Sequence, residues 1–171
     1  TDRSTCILFG DGAGAVLLKR IEWGKPLGVM STHIYSDGSL SDLICVPGGI
    51  GKSGINKDDI DDKKYFIKMS GNATFKVAVK RMADVIREAL KFNDLSMEEV
   101  SLLIPHQANE RIISAVADRL KYPLEKVFMN IQKYGNTSAA SIPIGINEAR
   151  RSGRIEPGDT TVLGSVGAGL T

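Results

Sequence analysis

Two polar side chains, those of His106 and Asn136, could do chemistry because each follows a segment that is predicted to be a strand. His106 lies in the run Ile-Pro-His-Gln-Ala-Asn over 104–109, and Asn136 opens the run Asn-Thr-Ser-Ala-Ala-Ser over 136–141. In open α/β sheets, catalytic groups collect beyond the carboxyl ends of the strands. An imidazole and a carboxamide delivered there can donate two neutral hydrogen bonds to a carbonyl oxygen that becomes negative. Each also has a simpler interpretation. His106 could be a buried histidine satisfied by backbone carbonyls, and Asn136 could be a turn residue.

The pair lacks a nucleophile, and the two cysteines do not supply one. Cys6 is predicted to lie within a buried strand, and Cys45 sits between Ile44 and Val46 with no helix starting behind it. Neither position resembles the electropositive, partly exposed setting of an activated thiol. The two histidines are far apart and have no Cys or Asp at ligand spacing, so the sequence predicts no metal site.

The elements that must position these residues follow from hydrophobic periodicity. Strands are predicted at 6–9, 15–18, 29–35, 100–104, 127–131 and 160–163. Helices are predicted from Gly71 to Leu90 with Asn72 as N-cap, over 109–120, and from Ser138 or Ser141 to about Ser152. Alternation of strand and helix from residue 100 onward indicates a mainly parallel sheet with helices packed on it. The long loop over 37–64 reads as a lid or an insertion.

Composition excludes several classes of function. The net charge of +2 and the 6% of aromatic residues argue against nucleic-acid binding. No apolar run approaches the roughly 20 residues of a membrane span. Two cysteines in 171 residues favour a reducing compartment. Because the chain begins without Met and stops after a glycine-rich turn, we expect it to lack an N-terminal part and to be cut in its last strand.

Two glycine-containing turns need separate interpretation. The run Gly-Asp-Gly-Ala-Gly-Ala over 10–15 fits the dinucleotide fingerprint by its letters, but no helix of useful length can follow it, so a tight strand-to-strand turn is favoured. Gly167 and Gly169 flank Ala168 after the last predicted strand. That turn either presents a backbone N–H to a site, as in an oxyanion hole, or is an ordinary turn.

Two motifs, over 105–113 and 135–141, closely resemble those of β-ketoacyl-acyl-carrier-protein synthase III, a condensing enzyme of the thiolase superfamily. The run over 9–15 is similar to the turn that opens the second half of that enzyme, and the loop over 48–64 departs most. The resemblance implies a thiolase-like α/β fold, in which residues 1–171 are the C-terminal half of a duplicated α/β/α/β/α arrangement. The cysteine of the family's Cys-His-Asn triad would belong to the N-terminal half.

The resemblance also implies a reaction, in which an acyl-CoA acylates that cysteine, malonyl-acyl carrier protein loses CO₂, and the carbanion attacks the thioester. His106 and Asn136 would stabilise the enolate oxygen, and the Ala168 amide would match the oxyanion hole. The pantetheine tunnel would be lined by Gly71, Asn72, Phe75, Ala108 and Asn109, and Arg3 would lie against the adenine. A basic patch for the carrier protein would comprise Lys76, Arg111 and Arg119, which by themselves read as a solvated helix face.

The partners implied are acyl-CoA, malonyl-acyl carrier protein, the chain's own N-terminal half and a second copy in a homodimer of the full enzyme. No permanently bound cofactor is implied, and the compartment would be the cytoplasm or the plastid stroma. We expect the chain by itself to be inactive. The alternatives are a related condensing enzyme of secondary metabolism and a non-catalytic thiolase-fold subunit that binds CoA or has a structural role.

Overall fold

The structure is a computed structural model that describes residues 3–20, 28–48 and 57–171. In chain order its helices and strands are α1 Arg3–Cys6, β1 Ile44–Cys45, α2 Lys57–Asp61, β2 Lys68–Met69, α3 Gly71–Phe92, β3 Leu102–Pro105, α4 Glu110–Leu120, α5 Ile131–Tyr134, α6 Ser141–Arg151 and β4 Thr161–Gly164. Short 3-10 helices span Gly38–Leu43, Met97–Glu99, Leu124–Lys126 and Ser138–Ala140. No helix in these three ranges is both long enough and apolar enough to cross a membrane.

A parallel pair of strands, β3 and β4, lies at the centre of the fold. Leu102 pairs with Thr161 and Pro105 pairs with Gly164, so both strands end at the same edge. Val127 forms a bridge to Leu103 on the other side of β3. All four residues of β3 are buried, as expected for a strand with neighbours on both sides. The predicted strands over 100–104 and 160–163 are thus confirmed with small shifts in their ends.

Helices α3 and α4 supply most of the core. Their apolar side chains recur at helical spacing and are buried together against β3. Full burial of each large aliphatic side chain contributes about 1.5–3 kcal/mol. The buried members are Ala78, Met82, Ala83, Ile86, Leu90, Ile112, Ile113, Val116, Ala117 and Leu120.

The helix ends confirm two predictions and correct one. Asn109 caps α4 by accepting a hydrogen bond from Arg111 N at 2.8 Å, and α6 begins at Ser141. The prediction of Asn72 as the N-cap of α3 is wrong, because Ser70 occupies that position. Ser70 N donates to Leu43 O at 2.9 Å, so the preceding chain fixes the start of the helix.

Four predicted strands are absent from the structure. In the predicted strand over 6–9, Cys6 ends the helical turn α1 and Phe9 makes only an isolated bridge to Asn136. Residues 127–130 make only the bridge at Val127 before α5 begins, and 15–18 and 29–35 run without secondary structure. A strand exists through its hydrogen-bonded ladder, and no ladder partner for the last two segments lies within the described ranges. Their apolar side chains are therefore exposed; the set is Val16, Leu17, Leu18, Val29, Met30, Ile34 and Tyr35.

The long loop over 37–64 contains structure of its own, and residues 49–56 of it lie outside the described ranges. Ile44 pairs with Met69 in a two-stranded antiparallel ribbon of β1 and β2. The acidic run forms α2, where Lys64 Nζ lies 2.7 Å from Asp59 Oδ1 and 3.3 Å from Asp62 Oδ2. The start of the loop is tied to the body of the fold, because Asp37 N donates to Leu170 O at 2.9 Å and the Asp37 carboxylate pairs with Arg81 at 3.2 Å.

Candidate active site

His106 is positioned by the two central strands. It follows β3 directly, and its backbone N donates to Gly164 O, at the end of β4, over 2.7 Å. The residue is 9% exposed. Burial lowers the pKa of the imidazole below its ordinary value of 6.5, because the charged form loses its hydration. The ring is therefore neutral at physiological pH and lies at the carboxyl ends of two parallel strands.

The two nitrogens of the His106 ring have different surroundings. Nδ1 lies 2.7 Å from the hydroxyl of Ser141, the first residue of α6. Nε2 has no hydrogen-bond partner within the described ranges. No fully buried side-chain nitrogen or oxygen in those ranges lacks a partner, so Nε2 is accessible from outside the protein. Nε2 is thus the ring nitrogen that can meet a ligand.

Gln107 ties the loop that carries His106 to the neighbouring chain. Its side chain is 1% exposed, and its amide nitrogen donates to Pro105 O at 2.8 Å and to Phe128 O at 3.2 Å. Its amide oxygen accepts from Asn130 N at 3.0 Å and from Ile131 N at 3.2 Å. All four partners are backbone groups, so this one side chain replaces the strand ladder that ends at Val127.

Asn136 is held through both its backbone and its side chain. Its N donates to Leu8 O at 2.8 Å, and its O accepts from Gly10 N at 3.0 Å. Its side-chain oxygen accepts from Ser138 N at 2.8 Å. Since Oδ1 has this partner, the amide nitrogen Nδ2 remains as the donor that can meet a ligand. Asn136 Nδ2 and His106 Nε2 could therefore both donate hydrogen bonds to a ligand.

The glycines over 10–14 allow the N-terminal segment to approach this loop. A Cβ at Gly10 would lie 2.0 Å from Tyr134 O, and one at Gly14 would lie 2.4 Å from Pro143 Cγ. No helix follows the run, because 10–20 has no regular structure. The predicted strand-to-strand turn is wrong, because neither 6–9 nor 15–18 forms a strand, and the glycines instead allow close contact beside Asn136.

Comparison with known proteins identifies the family. Residues 1–38 match the family model described as 3-oxoacyl-[acyl-carrier-protein] synthase III, and residues 90–171 match the model of its C terminal. The beta-ketoacyl-[acyl-carrier-protein] synthase III of Thioalkalivibrio sulfidiphilus is 44% identical over 100% of this chain and 51% of its own length. The chain belongs to the 3-oxoacyl-[acyl-carrier-protein] synthase III family.

Solved structures of synthase III proteins confirm the predicted thiolase-like α/β fold. The enzyme from Aquifex aeolicus superimposes with a TM-score of 0.86 at 47% identity, over 99% of this chain and 49% of that one. The enzyme from Pseudomonas aeruginosa gives 0.87 at 38% identity, over 99% and 51%. The chain thus spans about half the length of the synthase III proteins that it matches.

The residues predicted to line the pantetheine tunnel lie at the starts of α3 and α4. Gly71 and Asn72 are exposed in the first turn of α3, and Ala108 and Asn109 lead into α4. Phe75 is partly buried against the core, with the Arg111 guanidinium 5.7 Å above its ring. The structure therefore brings the two helix starts together; the side chain of Arg3 lies outside the described part of the chain.

The predicted basic patch extends along the same pair of helices. Helices α3 and α4 run in the same direction. Arg111 contacts Phe75 near the start of both helices, and Arg119 lies 4.0 Å from Asp84 further along both. Lys76 and Arg111 lie near the helix starts, and Arg119 lies about 12 Å further along α4 at 1.5 Å per residue. Of these three basic residues, Arg119 forms an ion pair, with the carboxylate of Asp84.

Ala168 lies in the exposed segment that follows β4. Leu170 O accepts from Asp37 N at 2.9 Å, and Thr171 O accepts from Gly167 N at 2.8 Å, so the turn around Ala168 is held at both sides. Its role as an oxyanion-hole amide stays a prediction.

One of the two cysteines differs from expectation. Cys6 ends the helical turn α1 and is exposed, so the prediction of a thiol buried within a strand is wrong. Cys45 is partly buried in β1, with its Sγ 4.0 Å from Asp42 O. Within the described ranges, no three His, Cys, Asp or Glu side chains converge on a common point as metal ligands would.

Three contributors to the site were not predicted: Ser141, Gln107 and Glu148. Glu148 accepts hydrogen bonds from Lys133 Nζ at 2.7 Å, Tyr134 OH at 2.6 Å and Asn130 Nδ2 at 2.8 Å. These bonds, with that of Lys133 the largest influence, lower its pKa from 4.5 to about 2. Ser141 and Glu148 are polar residues of α6, and Gln107 lies in the loop after β3. Apart from Pro105 O, the partners of their side chains are 14 or more residues away along the chain.

Proposed function

We propose that this chain supplies two catalytic residues, His106 and Asn136, to a 3-oxoacyl-[acyl-carrier-protein] synthase III. The reaction would join an acyl-CoA starter to malonyl-acyl carrier protein with loss of CO₂ and so initiate type II fatty acid synthesis. One observation carries the proposal: a buried, neutral imidazole lies where two parallel strands end, with one nitrogen bonded to protein and the other without a partner among the described residues. Such a ring can donate to an oxygen without being a cation.

The condensation generates negative charge on a carbonyl oxygen. A cysteine thiolate attacks the acyl-CoA thioester, the C–S bond to CoA breaks, and CoA leaves as a thiolate that takes a proton from solvent. The malonyl thioester then loses CO₂, and the electron pair of the broken C–C bond moves onto the thioester oxygen as an enolate. The α-carbon attacks the acyl-cysteine, a C–C bond forms, and the cysteine thiolate is released.

His106 Nε2 and Asn136 Nδ2 would donate hydrogen bonds to the enolate oxygen while its charge develops. Interactions that strengthen only in the transition state lower the barrier, and loss of one such donor slows turnover about 10²–10³-fold. The neutral state of His106 supports this role, because a neutral donor stabilises the developing charge without transferring its proton to the enolate.

We assign the nucleophile to a cysteine outside these 171 residues. The hydrogen bonds of His106 Nδ1 and Asn136 Oδ1 go to Ser141 and Ser138, and neither goes to a thiol of this chain. The complete enzyme would therefore need an N-terminal half, and this chain by itself would be inactive. A homodimer and a cytosolic location would follow from the same family resemblance, and no permanently bound cofactor is required.

The remaining predicted residues would bind the substrates. The helix starts at Gly71 and Asn109 would border the pantetheine arm, with Asn72, Phe75 and Ala108 beside it. The Ala168 amide would donate to the acyl-cysteine oxygen, and Arg3 would contact the adenine. Lys76, Arg111 and Arg119, aligned on two parallel helices, would receive the acidic carrier protein.

The test combines this chain with the half of the Aquifex aeolicus synthase that it does not match. After isolation of the complex and incubation with acetyl-CoA, peptide mapping by mass spectrometry should find the acetyl group on a cysteine of the supplied half. Addition of malonyl-acyl carrier protein should then yield acetoacetyl-carrier protein. The variants His106→Ala and Asn136→Ala should each lower its rate about 10²–10³-fold.

Matched controls exist within the chain. His33→Ala removes the other histidine, and Asn147→Ala removes an exposed asparagine of α6; both should retain the parent rate. An acetyl group on Cys6 or Cys45 would show that the nucleophile is assigned wrongly. A complex that takes up no acetyl group from acetyl-CoA would favour a non-catalytic subunit instead.

A further inference from the structure

Ser141 connects the two loops that carry the proposed catalytic residues. It is 2% exposed, begins α6, and follows Asn136 by five residues. Its hydroxyl oxygen lies 2.7 Å from His106 Nδ1 and 3.2 Å from the backbone N of Gln107. One hydroxyl group therefore contacts both the imidazole and the backbone of the residue after it.

The close approach of α6 to β3 makes this contact reachable. Gly145, one helical turn after Ser141, faces β3, and a Cβ there would lie 2.9 Å from Ile104 Cγ2. Residues four apart lie on the same side of a helix. The absence of a side chain at Gly145 thus lets this side of α6 lie against the strand that delivers His106.

The donors and acceptors at Ser141 allow one satisfactory arrangement. The N–H of Gln107 can only donate, so the Ser141 oxygen accepts from it. The Ser141 hydroxyl proton then needs an acceptor, and His106 Nδ1 is the one available within the described ranges. If Nδ1 carried a proton and donated it to Ser141 instead, the buried hydroxyl proton would have no partner, which native structures avoid.

We propose that Ser141 is a positioning residue that holds His106 in the tautomer with its proton on Nε2. The hydrogen bond at one imidazole nitrogen decides which form the other takes. The unpartnered Nε2 is then a donor, which is what a developing enolate requires. This inference rests on the proposed function for its catalytic meaning, but the tautomer itself is a property of the protein without substrate.

The tautomer can be read directly by NMR. The chain has two histidines, so ring-¹⁵N-histidine labelling gives two imidazole patterns, and a His33→Gln variant assigns that of His106. Any polypeptide that keeps the chain in solution is left unlabelled and adds no signal. At neutral pH, long-range ¹H–¹⁵N spectra should show His106 Nδ1 as an unprotonated, hydrogen-bonded nitrogen and Nε2 as a protonated one.

Three variants test the cause. In Ser141→Ala the form protonated on Nδ1 should appear, whereas Ser141→Thr, which keeps the hydroxyl, should retain the parent pattern. Ser152→Ala removes a hydroxyl from the other end of α6 and should change nothing at His106. If Ser141→Ala fails to fold, the spectrum of the parent protein still decides.

A parent protein protonated on Nδ1, or a Ser141→Ala variant with an unchanged ring pattern, would overturn the inference. Neither result depends on condensation being observed. Conversely, the expected tautomer in a protein that forms no acetoacetyl-carrier protein would refute the proposed function and leave the role of Ser141 in place.

Discussion

Replacing Gln107 by Leu should destabilise the protein through the loop that carries His106. The Gln107 amide makes four hydrogen bonds to backbone groups over 2.8–3.2 Å in a side chain that is 1% exposed. Leucine fills a similar volume and makes none of them. The carbonyls of Pro105 and Phe128 and the amides of Asn130 and Ile131 would then be buried without partners.

The magnitude follows from the number of bonds. Each hydrogen bond of this kind contributes about 1 kcal/mol net, so the free energy of unfolding should fall by about 4 kcal/mol. That is a large part of the about 5–15 kcal/mol by which domains are stable. At about 2–4 °C per kcal/mol for a chain of this size, the midpoint of thermal unfolding should fall by about 8–16 °C.

Urea unfolding followed by circular dichroism in dilute solution measures this difference, with Gln132→Leu as the control. Gln132 is exposed on α5, so its replacement should change the unfolding free energy by no more than about 0.5 kcal/mol. Hydrogen exchange should also accelerate at Asn130 and Ile131, whose amides lose their acceptor. A loss below about 1 kcal/mol, equal to one bond, would refute the reasoning.

Two titratable groups and the exposed apolar side chains give three further expectations. Hydrogen bonding, mainly from Lys133, lowers the pKa of Glu148 from 4.5 to about 2, so the parent should be more stable than Glu148→Gln above pH 4.5. Urea unfolding over a pH series should show this advantage shrinking as the pH falls through about 2; a constant difference would contradict it. Because burial lowers the pKa of His106, its NMR titration midpoint should lie below 6.5, and the stability present above pH 6.5 should decline as the pH falls through that midpoint. A midpoint at or above 6.5 would show that the ring is not desolvated. With Leu17 94% and Ile34 80% exposed, the chain alone should self-associate in light scattering, Leu17→Ser with Ile34→Ser should reduce this, and a monodisperse monomer of 18.4 kDa would contradict it.

Local periodicity was enough to predict the elements that position the site. The helices α3, α4 and α6 and the strands β3 and β4 are encoded by apolar side chains three and four apart or in short buried runs. The placement of His106 after β3 followed from the same pattern. The helix over 109–120 followed from the same spacing, and the structure adds that Asn109 is its N-cap.

Pairing partners could not be predicted in this way. The apolar runs over 15–18 and 29–35 have strand-like composition, but strand formation depends on a neighbouring ladder that local sequence does not specify. The contact between Ser141 and His106 joins residues 35 apart, and that between Gln107 and Asn130 joins residues 23 apart. Both depend on how α6 and the 128–131 segment pack on β3, which only the assembled fold reveals.

The most direct test of the catalytic proposal is the release of CO₂ from malonyl-acyl carrier protein by the assembled synthase in the absence of acyl-CoA. This partial reaction needs the enolate oxygen to be stabilised but needs no acyl-cysteine. His106→Ala and Asn136→Ala should each slow it about 10²–10³-fold, with a smaller effect on KM. Release at the parent rate by either variant would contradict the assignment of that residue as a hydrogen-bond donor to the enolate.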